Sequence, residues 1–423
     1  MMKRIAQPVC VLALLIGAGR AAVAAGPEWA NLIQGDTLTG WVQRGGAAKY
    51  RVEGGEIIGQ TVPNTPNSFL CTERTYADFE LELEFKVDPR LNSGVQIRSQ
   101  SVPGYRAGVV HGYQVEIDPS ARAWSGGIYD ESRRDWLCSL EKNEPAQKAF
   151  KPGAWNHLRI VATGDSIKTW LNGVAAADLH DSLTQWGFIA LQVHHTKETE
   201  PLEVRWRNLR IKDLGNPASQ RPPDAIVLLD ATTGLDAWQP AERPKELAKW
   251  KFAEGVLEVE PGTGNIVSRR ALGDCWLHIE FSVDDNGKTG QANGNSGVYL
   301  QGRYEVQILN SAGQEPTDDN CGAIYKVKAP DYNMALPAGQ WQTYEISFRA
   351  PRWNVAGEKT ENAQLTVYHN GTRIHDRVTM PNSTGAGRPE GPGPAPLALQ
   401  DHGNRIRFRN IWAVPLKEPE TGR

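Results

Sequence analysis

Hydrophobic and polar residues alternate along much of the chain. Phe79-Glu80-Leu81-Glu82-Leu83-Glu84-Phe85 switches between apolar and acidic for seven residues. A period of two sends successive side chains to opposite faces, so this segment is predicted as a β-strand with one buried face. Leu158-Arg159-Ile160-Val161, Ile167-Lys168-Thr169-Trp170-Leu171 and the run from Leu202 to Ile211 continue the pattern. In the second half Leu277 to Phe281, Tyr344 to Phe348 and Leu365 to Tyr368 repeat it. Asn172-Gly173 and Asn370-Gly371 are two-residue hairpin signals. No long amphipathic helix is legible. Many short strands with turn chemistry between them predict an all-β antiparallel sandwich.

The sandwich is written twice. Asn92-Ser93-Gly94-Val95 returns as Asn295-Ser296-Gly297-Val298, and Arg207-Asn208-Leu209 returns as Arg409-Asn410-Ile411, at offsets of 203 and 202 positions. Gly127-Ile128-Tyr129 is answered by Ala323-Ile324-Tyr325, and Leu191-Gln192-Val193-His194 by Leu399-Gln400-Asp401-His402. A constant offset near 200 marks a domain duplication rather than a solenoid. The expected units are 26–215 and 224–418, joined by a Pro-rich linker at 216–223. Residues 1–25 read as a signal peptide. Lys3 and Arg4 precede an apolar run over Val9 to Gly17, and Ala22-Val23-Ala24-Ala25 is a small-residue cleavage site. The mature protein is expected to be periplasmic or secreted, with no membrane span.

Composition narrows the partners. Among 423 residues, 46 Lys and Arg against 49 Asp and Glu leave a net charge of −3. That balance gives no basic surface for nucleic acid. Four cysteines follow the leader, two per copy: Cys71, Cys138, Cys275 and Cys321. Export permits Cys71–Cys138 and Cys275–Cys321 bridges, and buried thiols are the equal alternative.

Alternation also sorts the polar residues. With Val95, Ile97, Tyr113, Val115, Ile117, Leu191 and Val193 inward, one outer face of copy one collects Gln96, Arg98, Gln114, Glu116, Asp118, Gln192 and His194. In copy two the corresponding face collects Tyr299, Gln301, Glu305, Gln307, Gln400 and His402. Tyr129, Asp130 and Arg134, with Tyr325 in copy two, are placed in loops within reach of it. His195 is expected to face inward, and His111 to lie on a loop near the face. Glu80, Glu82 and Glu84 are expected on a solvated convex face with no row of cations opposite. Glu116, Asp118 and His194 are a weak metal set that matches no defined spacing, which leaves a divalent cation as a candidate cofactor.

Together, Asn92 to Val95, Gly112 to Asp118, Gly126-Gly127-Ile128-Tyr129-Asp130-Glu131 and Phe188 to His194 resemble the 3-keto-disaccharide hydrolase domain family. The second copy resembles it through Tyr304 to Ile308, Gly322 to Tyr325, Leu399 to Asn404 and Arg407 to Trp412. The resemblance implies two tandem concanavalin-like jelly rolls. It implies action on glycosides whose 3-hydroxyl a partner sugar 3-dehydrogenase has oxidised. A C3 ketone acidifies the C2 proton, so a base removes that proton and the C1 substituent leaves before water adds. Under that chemistry Glu116 or His194 is the base, Arg98 or a cation holds the enolate oxygen, and Asp118 is the acid. Glu305 and His402 are the ionisable pair of copy two. Gln96, Gln114, Gln192, Tyr129, Asp130, Arg134, Tyr299, Gln301, Gln307, Tyr325 and Gln400 bind substrate. The competing readings are a non-catalytic carbohydrate-binding jelly roll with Trp124 and Trp136 as platforms, or one active and one structural copy.

Overall fold

The computed structural model describes residues 27–416. The expected leader, residues 1–25, lies outside the described residues. Each copy is a sandwich of two antiparallel sheets. In copy one the first sheet runs in the order Val174–His180, Ser166–Leu171, Asn156–Thr163, Asp78–Val87, Glu203–Gly215, Glu56–Gln60 and Lys49–Glu53, and Trp29–Asn31 also pairs with Glu203–Gly215. The second runs Asp135–Cys138, Ile128–Glu131, His111–Ile117, Ser93–Gln100, Gly187–Val193, Ser68–Tyr76 and Trp41–Gly45. Copy two repeats the plan with Ile406–Pro415, Cys275–Val283 and Gln342–Arg349 central in one sheet. Its other sheet runs Trp238–Pro240, Ile266–Leu272, Ala395–Leu399, Ser296–Leu300 and Tyr304–Ile308. Two tandem jelly rolls result. The α-helix among the described residues is the single turn-and-a-half Glu144–Ala149, capped by the Asn143 side chain.

Alternation explains the core. Phe79, Leu81, Leu83 and Phe85 are fully buried against Val95, Ile97, Tyr113, Val115, Ile117 and Leu191. Each such side chain contributes about 1.5–3 kcal/mol of transfer free energy. Both Asn-Gly pairs close hairpins with left-handed φ at each residue: 49° and 84° at Asn172 and Gly173, 49° and 80° at Asn370 and Gly371. That conformation follows the right-handed twist of the flanking strands.

Several expectations are corrected. The acid row Glu80, Glu82 and Glu84 does face cations, supplied by both neighbouring strands. Arg159 and Lys212 flank Glu80, Arg210 flanks Glu82 and Arg207 flanks Glu84. The facing rows come from segments far away in sequence, which a local pattern does not connect. Of the two equal alternatives for the four cysteines, the structure has the free thiols, three of them buried. His195 does not turn inward. The strand stops at Val193, alternation ends with it, and His195 is exposed.

Candidate functional site

The polar face of copy one is not wet. Gln96, Gln114, Glu116 and Gln192 are all at most 4% exposed. Buried polar groups must hydrogen-bond one another, and here they form a chain. Ser99 Oγ donates to Gln96 Oε1 (2.8 Å), Gln96 Nε2 to Gln114 Oε1 (2.6 Å) and Gln114 Nε2 to Glu116 Oε2 (2.8 Å). Asn92 Nδ2 donates to Glu116 Oε1 at 2.6 Å. Gly94 makes room for this chain, because a Cβ there would stand 2.5 Å from Gln114 Cδ. Burial raises the Glu116 pKa against the pull of its two amide donors.

A second carboxyl joins the face from Ile128–Glu131. Glu131 accepts from Gln192 Nε2 (3.4 Å) and Asn67 Nδ2 (3.5 Å). Burial, with the Glu116 charge nearby, pushes its pKa up to about 7. Asp118 sits at the strand's end and organises a turn. It accepts from the backbone N–H of Ser120 and Trp124 and from Arg122 Nε at 2.8 Å. Burial opposes these bonds, but they hold its pKa below the usual range. Arg122 also reaches Glu116 Oε1 at 3.6 Å and lies over the rings of Trp124 and Trp136. The two indoles meet edge to face, both beneath one guanidinium. Tyr129 sits beside them and donates to Asp135 Oδ1 at 2.8 Å.

Several expected residues lie elsewhere or act locally. Arg98 adopts φ 46° where the register of Ser93–Gln100 shifts, and its side chain leaves the face. It donates to the carbonyl oxygens of Ala77 and Gly164 and to Asp78. Gln301, its counterpart in copy two, has φ 56° and binds the carbonyl oxygen of Leu272. Asp130 pairs across the ladder with core-facing Tyr113, is fully buried and is held by Arg133 and Arg134. Arg134 also binds Asp181. His194 lies just past the strand end. Its Nδ1 binds the His195 carbonyl oxygen at 2.9 Å, and burial lowers its pKa. His111, expected on a loop, instead opens the strand His111–Ile117 and is buried, with its Nδ1 on the Val109 carbonyl oxygen. Among the described residues no group of three His, Cys, Asp or Glu side chains is placed to hold a metal ion, so Glu116, Asp118 and His194 are not a donor set.

Copy two gathers its expected residues around a cavity of about 200 Å³ lined by Tyr299, Glu305, Gln307, Tyr325, Gln400 and His402. Register sets the chemistry. Gly94 faces Glu116 and Gln96 faces Gln114, whereas Gly297 faces Gln307 and Tyr299 faces Glu305. The acid has moved one row along the strand between the copies. Glu305 is 2% exposed, and burial pushes its pKa up to about 7 although the Tyr299 hydroxyl donates to it. Burial and the Glu305 charge raise the Tyr299 pKa well above the usual phenol range, so it stays a neutral donor. Gln400 Nε2 donates to the Tyr299 hydroxyl at 3.2 Å. Gln307 Nε2 donates to Gln291 Oε1 at 3.0 Å; with the amide turned over, the nitrogen would instead face Glu305 Oε1 at 3.2 Å and the Ser296 carbonyl oxygen at 2.8 Å. Thr384 Oγ1 accepts from the Glu305 backbone N–H, and Gly385 packs over the carboxylate. The oxygens Gln400 Oε1 and Asn295 Oδ1 are buried without a donor, as is Gln192 Oε1 in copy one.

Sequence reasoning missed Glu131, Asn67, Asn92 and Arg122 in copy one, and Gln291 and Asn295 in copy two. Asn92 and Asn295 did leave a signal, since they open the repeated Asn-Ser-Gly-Val. Glu131 lies two positions after Tyr129 and shares its face, but its segment reads as a loop by composition.

Both jelly rolls match the model of the 3-keto-alpha-glucoside-1,2-lyase-like domain, over residues 28–212 and 224–414. The chain belongs to that family. Its motif resemblance is thus borne out over both copies of the 3-keto-alpha-glucoside-1,2-lyase-like domain. No protein of curated function matches the chain. Among solved structures, a Parabacteroides distasonis protein described as a candidate glycosyl hydrolase is 33% identical, with a TM-score of 0.43 over 46% of this chain and 85% of that one. The carbohydrate-binding module CBM66 from Bacillus subtilis is 18% identical, with a TM-score of 0.30 over 41% and 96%.

Proposed function

We propose that the protein cleaves 3-keto-glycosides by elimination, with the base in copy two. The observation that supports this is Glu305: a buried carboxyl with a pKa of about 7, hydrogen-bonded to a neutral phenol and lining a cavity. A general base works best when its pKa is near the operating pH. In this reading Glu305 takes the C2 proton, and the electron pair moves toward C3, making an enolate of the ketone oxygen. Tyr299, whose O–H is released from Glu305 once that carboxyl takes the proton, is the neighbouring donor for that oxygen, which is where charge develops. The enolate then re-forms its ketone, a C1–C2 double bond forms, and the C1–O bond breaks. His402 at the rim protonates the departing oxygen. Addition of water across the new double bond completes net hydrolysis. The substrate's ketone comes from a sugar 3-dehydrogenase, and the reaction takes place outside the cytoplasm.

Copy one supports a related role. Its two carboxyls, Glu116 and Glu131, are each capped by two amide donors, an arrangement that suits holding a glycoside. The test is release of aglycone from a 3-keto-α-glucoside, with and without chelator. Glu305→Gln is expected to cost about 10²–10⁴-fold, the usual worth of a general base. Glu116→Gln is expected to change KM more than kcat. Wild-type rates in the Glu305 variant would refute the assignment.

A further inference from the structure

Away from the polar faces, the sandwiches share a second constellation at one end. In copy one Asp78 Oδ1 accepts from the Gly164 backbone N–H and from Arg98, each at 3.0 Å. Arg98 also donates to the Gly164 carbonyl oxygen at 2.7 Å. In copy two Asp274 stands in the place of Asp78. Its Oδ1 accepts from the Ala350 backbone N–H at 2.8 Å. Arg352 grips both its oxygens, at 3.0 and 2.6 Å, and donates to the Ala350 carbonyl oxygen at 2.9 Å. The cage of carboxylate, turn and guanidinium is the same, but the arginines are not equivalent. Gln301 holds the position of Arg98, and the guanidinium arrives from a different segment. Duplication alone does not produce a cage closed by two unrelated arginines.

Each cage borders a cavity. In copy one it measures about 240 Å³, and Asn216, Pro217 and Ala218 of the linker form part of its wall. In copy two it measures about 410 Å³, and Trp353, Pro351, Pro392 and Pro394 wall it beside Asp274 and Arg352. We propose that the copy-two cavity is an accessory carbohydrate site that takes a glucose disaccharide, separate from the Glu305 cavity. The proposal rests on the carbohydrate reading above. The volume falls within the range of small-molecule sites, and the wall combines an apolar surface with a few convergent polar groups. Burial pushes the Asp274 pKa up, but Arg352 and the Ala350 N–H outweigh it and hold the carboxyl ionised. Its oxygens keep acceptor capacity for adjacent sugar hydroxyls, because a carboxylate offers about four lone-pair sites. The indole and the prolines suit the C–H face of a pyranose. Nothing in this wall is placed to select a ketone over a hydroxyl, so an unoxidised glucose disaccharide serves as the probe.

The test is calorimetric titration of the full chain with maltose, alongside aglycone release from a 3-keto-α-glucoside. Wild type and Glu305→Gln are expected to bind maltose with equal affinity. Trp353→Ala is expected to weaken maltose binding roughly tenfold, the worth of a good aromatic contact, while kcat for aglycone release stays at the wild-type value. Trp353→Leu, which refills the volume without a ring, should weaken binding similarly and serves if the alanine variant unfolds. Absence of maltose binding, or unchanged binding in a folded Trp353 variant, overturns the site. Loss of maltose binding in Glu305→Gln also overturns it, by placing the sugar on the polar face. If maltose binds as expected but no aglycone is released, the elimination reading falls and the accessory site stands.

Discussion

At the scale of the residue, Glu305 sets activity against stability. A carboxyl whose pKa moves from 4.5 to about 7 on folding is favoured in its protonated form. The stability this gives is fully present below pH 4.5 and is lost as pH rises through 7. Above pH 7 the ionised folded state carries a penalty of roughly 3 kcal/mol, since a tenfold change in proton affinity is worth about 1.4 kcal/mol. Glu305→Gln removes the charge and keeps the shape. It should therefore raise denaturant stability at pH 8 by up to about 3 kcal/mol and change it little at about pH 4.5. Urea unfolding at both pH values checks this; destabilisation at both would mark Glu305 as structural. The wild-type rate should follow the same titration. As a base Glu305 must be deprotonated, so kcat/KM should climb with pH and level off above about 7. A profile flat from about pH 5 to 9 would remove Glu305 from the chemistry. Period-two reasoning placed these residues on a wet face, where such substitutions are neutral. The residues that seal the face, such as Thr384, Gly385 and Arg122, lie in loops with no periodicity to read.

At the scale of the element, the glycines of the two repeated Asn-Ser-Gly-Val segments space the strands for the polar chain. A Cβ at Gly297 would stand 2.3 Å from Glu305 Oε1 and 2.8 Å from the Tyr299 ring. Gly297→Ala must push both side chains aside. Overpacking of this kind costs about 1–3 kcal/mol, and a displaced base can cost ~10²-fold in rate. Aglycone release should fall further than the melting temperature implies, and a wild-type rate would show that Glu305 has room to spare. The same strands show what the sequence carries and what it does not. Tandem jelly rolls, inward residues and paired rows were legible because each arises from alternation or from a fixed offset. Arg98 and Gln301 were not, because each is a left-handed residue, Arg98 at a shift of register and Gln301 in the hairpin turn after Leu300, and that conformation turns the side chain away from the face that alternation assigns. That conformation is uncommon outside glycine and leaves no mark in hydropathy. Asp130 and Glu131 were exchanged for a similar reason: the short strand that carries them has no apolar run to set its phase.

At the scale of the whole molecule, the two jelly rolls are joined by more than a linker. Val102, from copy one, is buried in the hydrophobic core of copy two. Gln100 of copy one donates to the Asn370 carbonyl oxygen and accepts from Thr372 Oγ1, which ties it to the hairpin turn of copy two. Thr184 pairs with Thr372 as a β-bridge, and Arg373 donates to Ser182 Oγ. Gly371 sits under Trp186, where a Cβ would stand 2.6 Å from the indole nitrogen, and its φ of 80° disfavours a side chain in any case. These contacts couple the folding of the copies, since unfolding copy one would strip a core residue and a hairpin cap from copy two. The intact chain should melt in one calorimetric transition. Gly371→Ala wedges the interface apart and strains the turn, so it should split that transition in two. Val102→Ala removes two methyl groups from the core of copy two at about 1–3 kcal/mol, within the usual range for large-to-small core changes. In the Gly371→Ala background, where the two transitions separate, its loss should fall on that of copy two, although the residue belongs to copy one. Two transitions already present in the wild type, or a Val102 loss confined to copy one, would show instead that the copies fold independently.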